Sequence, residues 1–297
     1  MTLLFTVGRM LLVVAAMLVA STVALVGRER LAETRREFRQ RFDAVMPYAG
    51  LLAIVLVANK IARDVGPELS WLIGLRITGR LQSVDGRLLW PIYPDDTPQL
   101  VVWLQSMATP ELTAYFAFVY VYGYVFLLVF PLVAYFALSR PEPLRRAMVA
   151  YGANYVLGVI CYVVFIAYGP RNIIAGQAEA LLYNHYTQYQ FVTNAVNSPT
   201  NVFPSLHTSM AVTAALLAWT TREEYPVWVP ISAVLAVSVV ISTMYLGIHW
   251  GTDVVFGIAL AWISVNIGKR FEDSPPAVGW FRARLGAVAD AIPGRTR

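Results

Sequence analysis

Phe203-Pro204-Ser205-Leu206-His207 and, further along, Tyr245-Leu246-Gly247-Ile248-His249-Trp250-Gly251-Thr252-Asp253 decide how this chain is read. They hold two of its three histidines, and each stands at the edge of a long apolar run. Ionisable groups at the rim of a membrane span are costly and mark function. His249 and Asp253 are spaced i, i+4, so on a helix they share a face and the carboxylate can orient the imidazole. Pro204 and Ser205 just ahead of an apolar run signal a helix start, whose free backbone N–H groups favour an anion. His207 then falls in the first turn.

Working outward, the chain has 297 residues, 58% of them hydrophobic and 14% charged, with mean hydropathy +0.57. A soluble domain would carry about 25% charged residues. Several apolar runs reach the length of a bilayer crossing. The fold class expected is therefore all-α, a polytopic transmembrane helical bundle. The net charge of +5 reads as membrane topology, and no nucleic-acid partner is expected. Cys161, the single cysteine, lies inside an apolar run. No intramolecular disulfide is possible, and zinc-type Cys/His spacing is missing from the sequence.

Residues 5–26 form a first apolar run, retained as a helix because Arg9 interrupts it early and no small-residue cleavage site follows. Residues 27–47 alternate Arg28, Arg30, Arg35, Arg36, Arg39 and Arg41 with Glu29, Glu33 and Glu37, a solvated helical linker. Further spans are expected at 47–64, 111–138, 147–168, 205–221, 227–246 and 250–268. Residues 65–110, rich in Pro, Gly, Trp and Tyr, read as short interfacial helices. The domain division is 1–46 (N-terminal span and basic linker), 47–268 (six-helix catalytic domain) and 269–297 (basic tail).

The positive charges give a direction. The segments 27–47, 139–146 and 220–226 and the tail hold sixteen of the twenty-three Lys and Arg, while 169–204 holds one. This alternation predicts an N-terminus outside, a C-terminus in the cytoplasm, and Lys60, Arg171, His207, His249 and Asp253 together at the outer face of the cell membrane.

Imidazole can be a nucleophile toward phosphorus, a general base or a metal ligand. Asp253 would keep one nitrogen of His249 protonated and stabilise the imidazolium, the orienting logic of a triad. His207, next to an anion at a helix start, suits a general acid for a leaving alkoxide. Ser205 reads either as part of that anion site or as an ordinary cap. His185, in Tyr183-Asn184-His185-Tyr186, has no partner at catalytic spacing and reads as loop surface.

The order Pro-Ser-x-His, then Ser-x6-His-x3-Asp, resembles the type 2 phosphatidic acid phosphatase superfamily. Phe-Pro-Ser-Leu-His with Tyr-Leu-x2-His-Trp-x2-Asp is similar to its inositol phosphorylceramide synthase branch, as is the tyrosine-rich segment 120–124. The resemblance implies a six-helix phosphatase core, here with one extra N-terminal span. It also implies a phosphohistidine on His249, with Asp253 as its partner and His207 as the acid. The substrate implied is a lipid phosphate in the bilayer, with water or an alcohol such as inositol as acceptor, and no cofactor or metal.

The sequence departs from the family in its cations. Thr243 stands where the second motif carries Arg, Val164 where the first carries Lys, and Arg171 follows Pro170 instead of preceding it. A phosphate needs basic partners. Arg171, Ser205 and Lys60 are the candidate phosphate-binding residues, with Arg63 next after Lys60. Two other readings compete: a metal-dependent intramembrane hydrolase using His207, His249 and Asp253 as ligands, and a non-catalytic lipid-binding or transport protein.

Overall fold

The structure, a computed structural model, describes residues 3–95, 97–186, 189, 200 and 202–271. It is an all-α bundle. Helix α1 (Leu3–Ser21) continues through a wide π-turn (Thr22–Val26), and Phe5–Val26 is apolar enough to cross a bilayer, with mean hydropathy 2.3. Only 11% of its apolar window is buried, so most of its side chains face outward. It packs against the helix carrying residues 124–136.

Helix α2 (Arg28–Arg36) buries none of its residues. Helix α3 (Phe38–Ile73) contains the span expected at 47–64 but extends beyond it in both directions. At 1.5 Å per residue its length is about 54 Å, against about 30 Å of bilayer hydrocarbon. The excess supplies a charged foot at one end and a shelf at the other.

The shelf carries the segment between the second and third spans. Strand β1 (Leu75–Arg76) pairs in parallel with β2 (Phe165–Ile166), a two-residue ladder that a purely helical reading does not foresee. Short helices α4 (Thr78–Asp85) and α5 (Leu100–Gln105) follow. Helix α6 (Pro110–Phe118) is capped by Thr109, whose side chain accepts from the Leu112 N–H. It runs through a π-turn (Val119–Gly123) into α7 (Tyr124–Phe136), giving one 27-residue candidate span. Helix α8 (Glu142–Val164) follows, and then the short α9 (Pro170–Ile173) and α10 (Leu181–His185).

The last three helices are α11 (Leu206–Thr220), α12 (Trp228–Tyr245) and α13 (Gly251–Phe271). Among the described residues, six helical segments are long and apolar enough to cross a membrane. Helix α11, where a further span was expected, has 15 residues. It lies at the centre, packed by α7, α8, α12 and α13. Its small residues permit this: Ala211, Ala214 and Ala218 are fully buried, and Ser209 and Thr213 accept from the Asn154 amide of α8 at 2.6 and 3.1 Å. The main core joins Leu127, Phe130 and Ala134 to Leu217, Ala218 and Trp228.

The two ends of the bundle differ in charge. At one end Arg30 donates to the Glu224 carbonyl, Arg140 pairs with the Glu224 carboxylate, and Arg145 donates to the Ala44 carbonyl. Arg41 is buried there between Glu33 and Glu37 and donates to the Leu138 carbonyl at 2.8 Å. The linker is thus partly docked through its arginines. The motif segments gather at the opposite end. Asn194 and Asn197 of the long loop, and Arg282, Arg284, Arg295 and Arg297 of the tail, lie outside the described residues.

Candidate active site

Ser205 and Asp253 join the two motif segments directly: the Ser205 N–H donates to the Asp253 carbonyl at 3.1 Å. Close approach of α13 to the start of α11 depends on Gly257. A Cβ there would stand 2.6 Å from the Ser205 carbonyl oxygen and 3.1 Å from Thr208. The Ser205 hydroxyl accepts from the Thr208 N–H and donates to the Thr208 hydroxyl, and the side chain is fully buried. The Ser205 hydroxyl is engaged in the helix cap, one of the two uses expected of it. It serves the site by fixing where α11 begins.

His249 sits in the turn between α12 and α13. Its N–H donates to the Thr243 carbonyl at 3.0 Å, as does that of Ile248. The turn needs Gly247, whose φ of +75° is strained for any residue with a Cβ, and whose missing Cβ makes room for the Glu179 carbonyl. The Gly247 carbonyl accepts from the Arg171 N–H at 3.2 Å, which ties Arg171 to the same turn. Nδ1 of His249 lies 3.5 Å from Oδ2 of Asp253. That is ion-pair distance and longer than a hydrogen bond. Oδ2 also accepts from the Trp250 N–H at 2.9 Å, while Oδ1 is buried with no hydrogen-bond partner among the described residues. Burial, with the Arg171 guanidinium beside it, pushes the His249 imidazole below its ordinary range and keeps it uncharged. An uncharged imidazole has the lone pair a nucleophile requires.

His207 emerges one residue into α11, with its ring against two tyrosines. The centroids of Tyr120 and Tyr124 each lie 4.5 Å from it, Tyr120 nearly parallel at 20° and Tyr124 tilted by 40°. Both come from the π-turn and the residue after it. π-Turns interrupt the regular ladder and recur at functional sites. His207 and His249 are close enough to act on one another electrostatically.

Of the cations, Arg171 is at the site. Its guanidinium lies 4.6 Å from the Tyr183 ring centre, Nη2 contacts the Tyr183 hydroxyl at 3.4 Å, and Nη1 is buried without a hydrogen-bond partner among the described residues. A buried, unsatisfied guanidinium nitrogen is costly and suits an anion. Lys60 is not brought to this cluster. It is more than half exposed and pairs with Asp64 one turn along α3, at 2.6 Å. Arg63, three residues further along α3, lies over the ring of Tyr162. His185 is exposed and bonds to the Leu181 carbonyl of its own helix, which agrees with loop surface.

Asp85 escaped the reading of the sequence. It lies at the end of α4, fully buried, and its Oδ1 accepts from the Gly251 N–H at 2.6 Å. It thereby caps α13, two residues from both His249 and Asp253. Burial pushes its carboxyl up to about 6, against the opposing pull of the Gly251 and Thr252 N–H groups. A lone Asp before Gly86 in a mixed segment looks like a turn, and nothing in the chain order announces its partner. Tyr120 and Tyr124 had a visible signal, a run of alternating tyrosines, but not the contact with His207. Among the described residues no group of three or more His, Cys, Asp or Glu could hold a metal ion.

Residues 97–267 match the PAP2 superfamily, more than half of the chain, and the chain belongs to that superfamily of membrane phosphatases and related enzymes. It is similar to an uncharacterised protein of Methanocaldococcus jannaschii, 26% identical over 176 residues that make up 59% of this chain and 68% of that one. No solved structure matches it. The superfamily and the all-α membrane bundle expected from the sequence are thus both met.

Proposed function

We propose that this protein is an integral membrane enzyme that cleaves or transfers the phosphoryl group of a lipid phosphate ester, through a phosphohistidine on His249. The observation that carries the reading is the convergence of His249, Asp253, His207 and Arg171 at the end of the bundle away from the basic loops. In the first step a nitrogen of His249 attacks phosphorus, and the bond from phosphorus to the ester oxygen breaks. His207 gives a proton to the departing alkoxide. Asp253 steadies the positive charge that develops on the His249 ring. Arg171 holds the phosphoryl oxygens. In the second step water, or an alcohol, attacks the phosphohistidine, His207 takes its proton, and His249 is released.

The basic end, with Arg30, Arg140, Arg145 and Arg146, supports a cytoplasmic assignment for that face. The site then opens at the extracytoplasmic side of the cell membrane, with the N-terminus outside. The inositol phosphorylceramide synthase branch stands within this proposal through its Phe-Pro-Ser-Leu-His motif and its tyrosine-rich span, and it makes an alcohol acceptor a specific alternative to water.

The test is turnover of purified protein in detergent on short-chain lipid phosphates, with and without inositol or glycerol. Phosphate release indicates a phosphatase, and a new phosphomonoester of inositol or glycerol indicates a transferase. His249→Ala is expected to abolish both. Full turnover by that variant would refute the phosphohistidine.

A further inference from the structure

Arg63 stands on α3, outside the segment that matches the superfamily. Its guanidinium carbon lies 5.3 Å from the ring centre of Tyr162, a buried residue of α8. Tyr162 packs with Leu206, the residue before His207, and with Leu260 in one buried cluster. Arg63 is therefore braced against the start of the helix that carries His207. Its charge reaches His207, Tyr120 and Tyr124.

Arg171 is built in the same way from another direction. It lies over Tyr183, and its charge reaches His249 and Tyr120. Tyr120 thus senses both guanidiniums, which approach the two histidines from α3 and from α9. In each case a tyrosine takes the face of the guanidinium. Stacking of this kind orients the planar group, and phosphate is bound at its edge. A phosphate monoester carries nearly two negative charges at neutral pH. A phosphodiester carries one.

Resting on the phosphoryl-transfer reading above, we infer that Arg63 is the second phosphate-binding cation. With Arg171 it forms a tyrosine-backed pair that holds a dianionic phosphate monoester against His249. The pair stands in for the motif cations that Thr243 and Val164 have replaced.

The experiment compares wild-type protein, Arg63→Gln, Arg63→Lys, Tyr162→Leu, Tyr162→Phe and Arg76→Gln in mixed micelles. Short-chain phosphatidic acid is the substrate and orthovanadate the competing phosphate analogue. Loss of a charge-assisted contact predicts a rise of about 10- to 100-fold in KM and in the vanadate inhibition constant for Arg63→Gln. Arg63→Lys is expected to recover part of this, because it keeps the charge and loses the fork. Tyr162→Leu should loosen vanadate binding more than Tyr162→Phe, which keeps the ring. Arg76→Gln, the same charge loss on a side chain stacked over Trp71, should change neither constant. Wild type should prefer the monoester to phosphatidylinositol, and Arg63→Gln should narrow that preference.

An unchanged KM and vanadate constant in Arg63→Gln, with His249→Ala inactive, overturns the role of Arg63 and leaves the phosphohistidine standing. So does a fall in kcat alone, or a preference of wild type for the diester. Should Arg63→Gln fail to fold, unchanged vanadate inhibition in both Arg63→Lys and Tyr162→Leu has the same force. Full turnover by His249→Ala would instead remove the underlying reading, and the pair with it.

Discussion

Asp85 gives the sharpest test of how the site is held together. Its carboxyl is pushed by burial from an ordinary value of 3.8 up to about 6. Between those two values the folded chain still holds a proton that the unfolded chain has released. Stability contributed at this site is therefore greatest below pH 4 and falls as pH rises through about 6. The displacement of roughly two pH units corresponds to about 3 kcal/mol at 1.36 kcal/mol per unit. The structural cause is plain. Oδ1 is satisfied by the Gly251 N–H, while Oδ2 is buried with no partner among the described residues. An uncompensated half of a carboxylate is costly to keep ionised out of water.

Asp85→Asn retains the acceptor for Gly251 and cannot ionise. Asp85→Ala removes the acceptor as well. Thermal unfolding of the purified protein in one detergent, at one scan rate, from pH 4 to pH 8, separates the two contributions. The titrations of all other groups cancel in the difference between wild type and Asp85→Asn. That difference should move against wild type by up to about 3 kcal/mol across the range. Asp85→Ala should lie below Asp85→Asn at every pH by about 1–2 kcal/mol, the cost of an orphaned N–H at the start of α13. A wild type to Asn difference that is flat with pH would refute the buried ionisation. Equal stability of the Asn and Ala variants would refute the cap.

Two further perturbations probe the same region. Gly257→Ala places a methyl group against the Ser205 carbonyl, so α13 must shift away from the start of α11. A loss of about 1–3 kcal/mol is expected in chemical or thermal unfolding, together with reduced turnover because the shift separates Asp253 from Ser205. Asp253→Asn removes the charge beside His249 and leaves an amide close to the same size. On the proposed phosphohistidine mechanism, in which the carboxylate acts on the imidazolium, turnover should fall by about 10²-fold or more with KM little changed.

Much of this architecture was legible because membrane spans write themselves in composition. The runs expected at 111–138, 227–246 and 250–268 became helices at Pro110–Phe136, Trp228–Tyr245 and Gly251–Phe271. The pairing of His249 with Asp253 was legible too, because a spacing of four residues is local, although His249 stands in the turn ahead of α13 and not on the helix itself. What the sequence did not disclose is what depends on contacts between distant elements. Lys60 and Arg63 are three residues apart, and nothing in composition says which one α3 turns inward. Ser205 was ambiguous between cap and ligand because both uses begin from the same helix start. Asp85 and Gly251 are linked across three candidate spans and the central helix α11, and the parallel pairing of β1 with β2 is only two residues long.

These long-range contacts share one feature. Asp85 caps the helix that carries Asp253, and Arg63 rests on the tyrosine that touches Leu206 beside His207, yet α3 and α4 both precede the segment matching the superfamily. The matched segment supplies the histidines and Arg171. The preceding helices supply a buried cap and a guanidinium. Motif residues can stay fixed in spacing while their supports change, because a nucleophile and its acid must meet in one geometry, whereas charge can be delivered to a phosphate from several directions. The altered cation positions, Val164 and Thr243, are therefore best understood together with α3. The site loses cations from the motif helices at the same end of the bundle where a helix outside them brings one in.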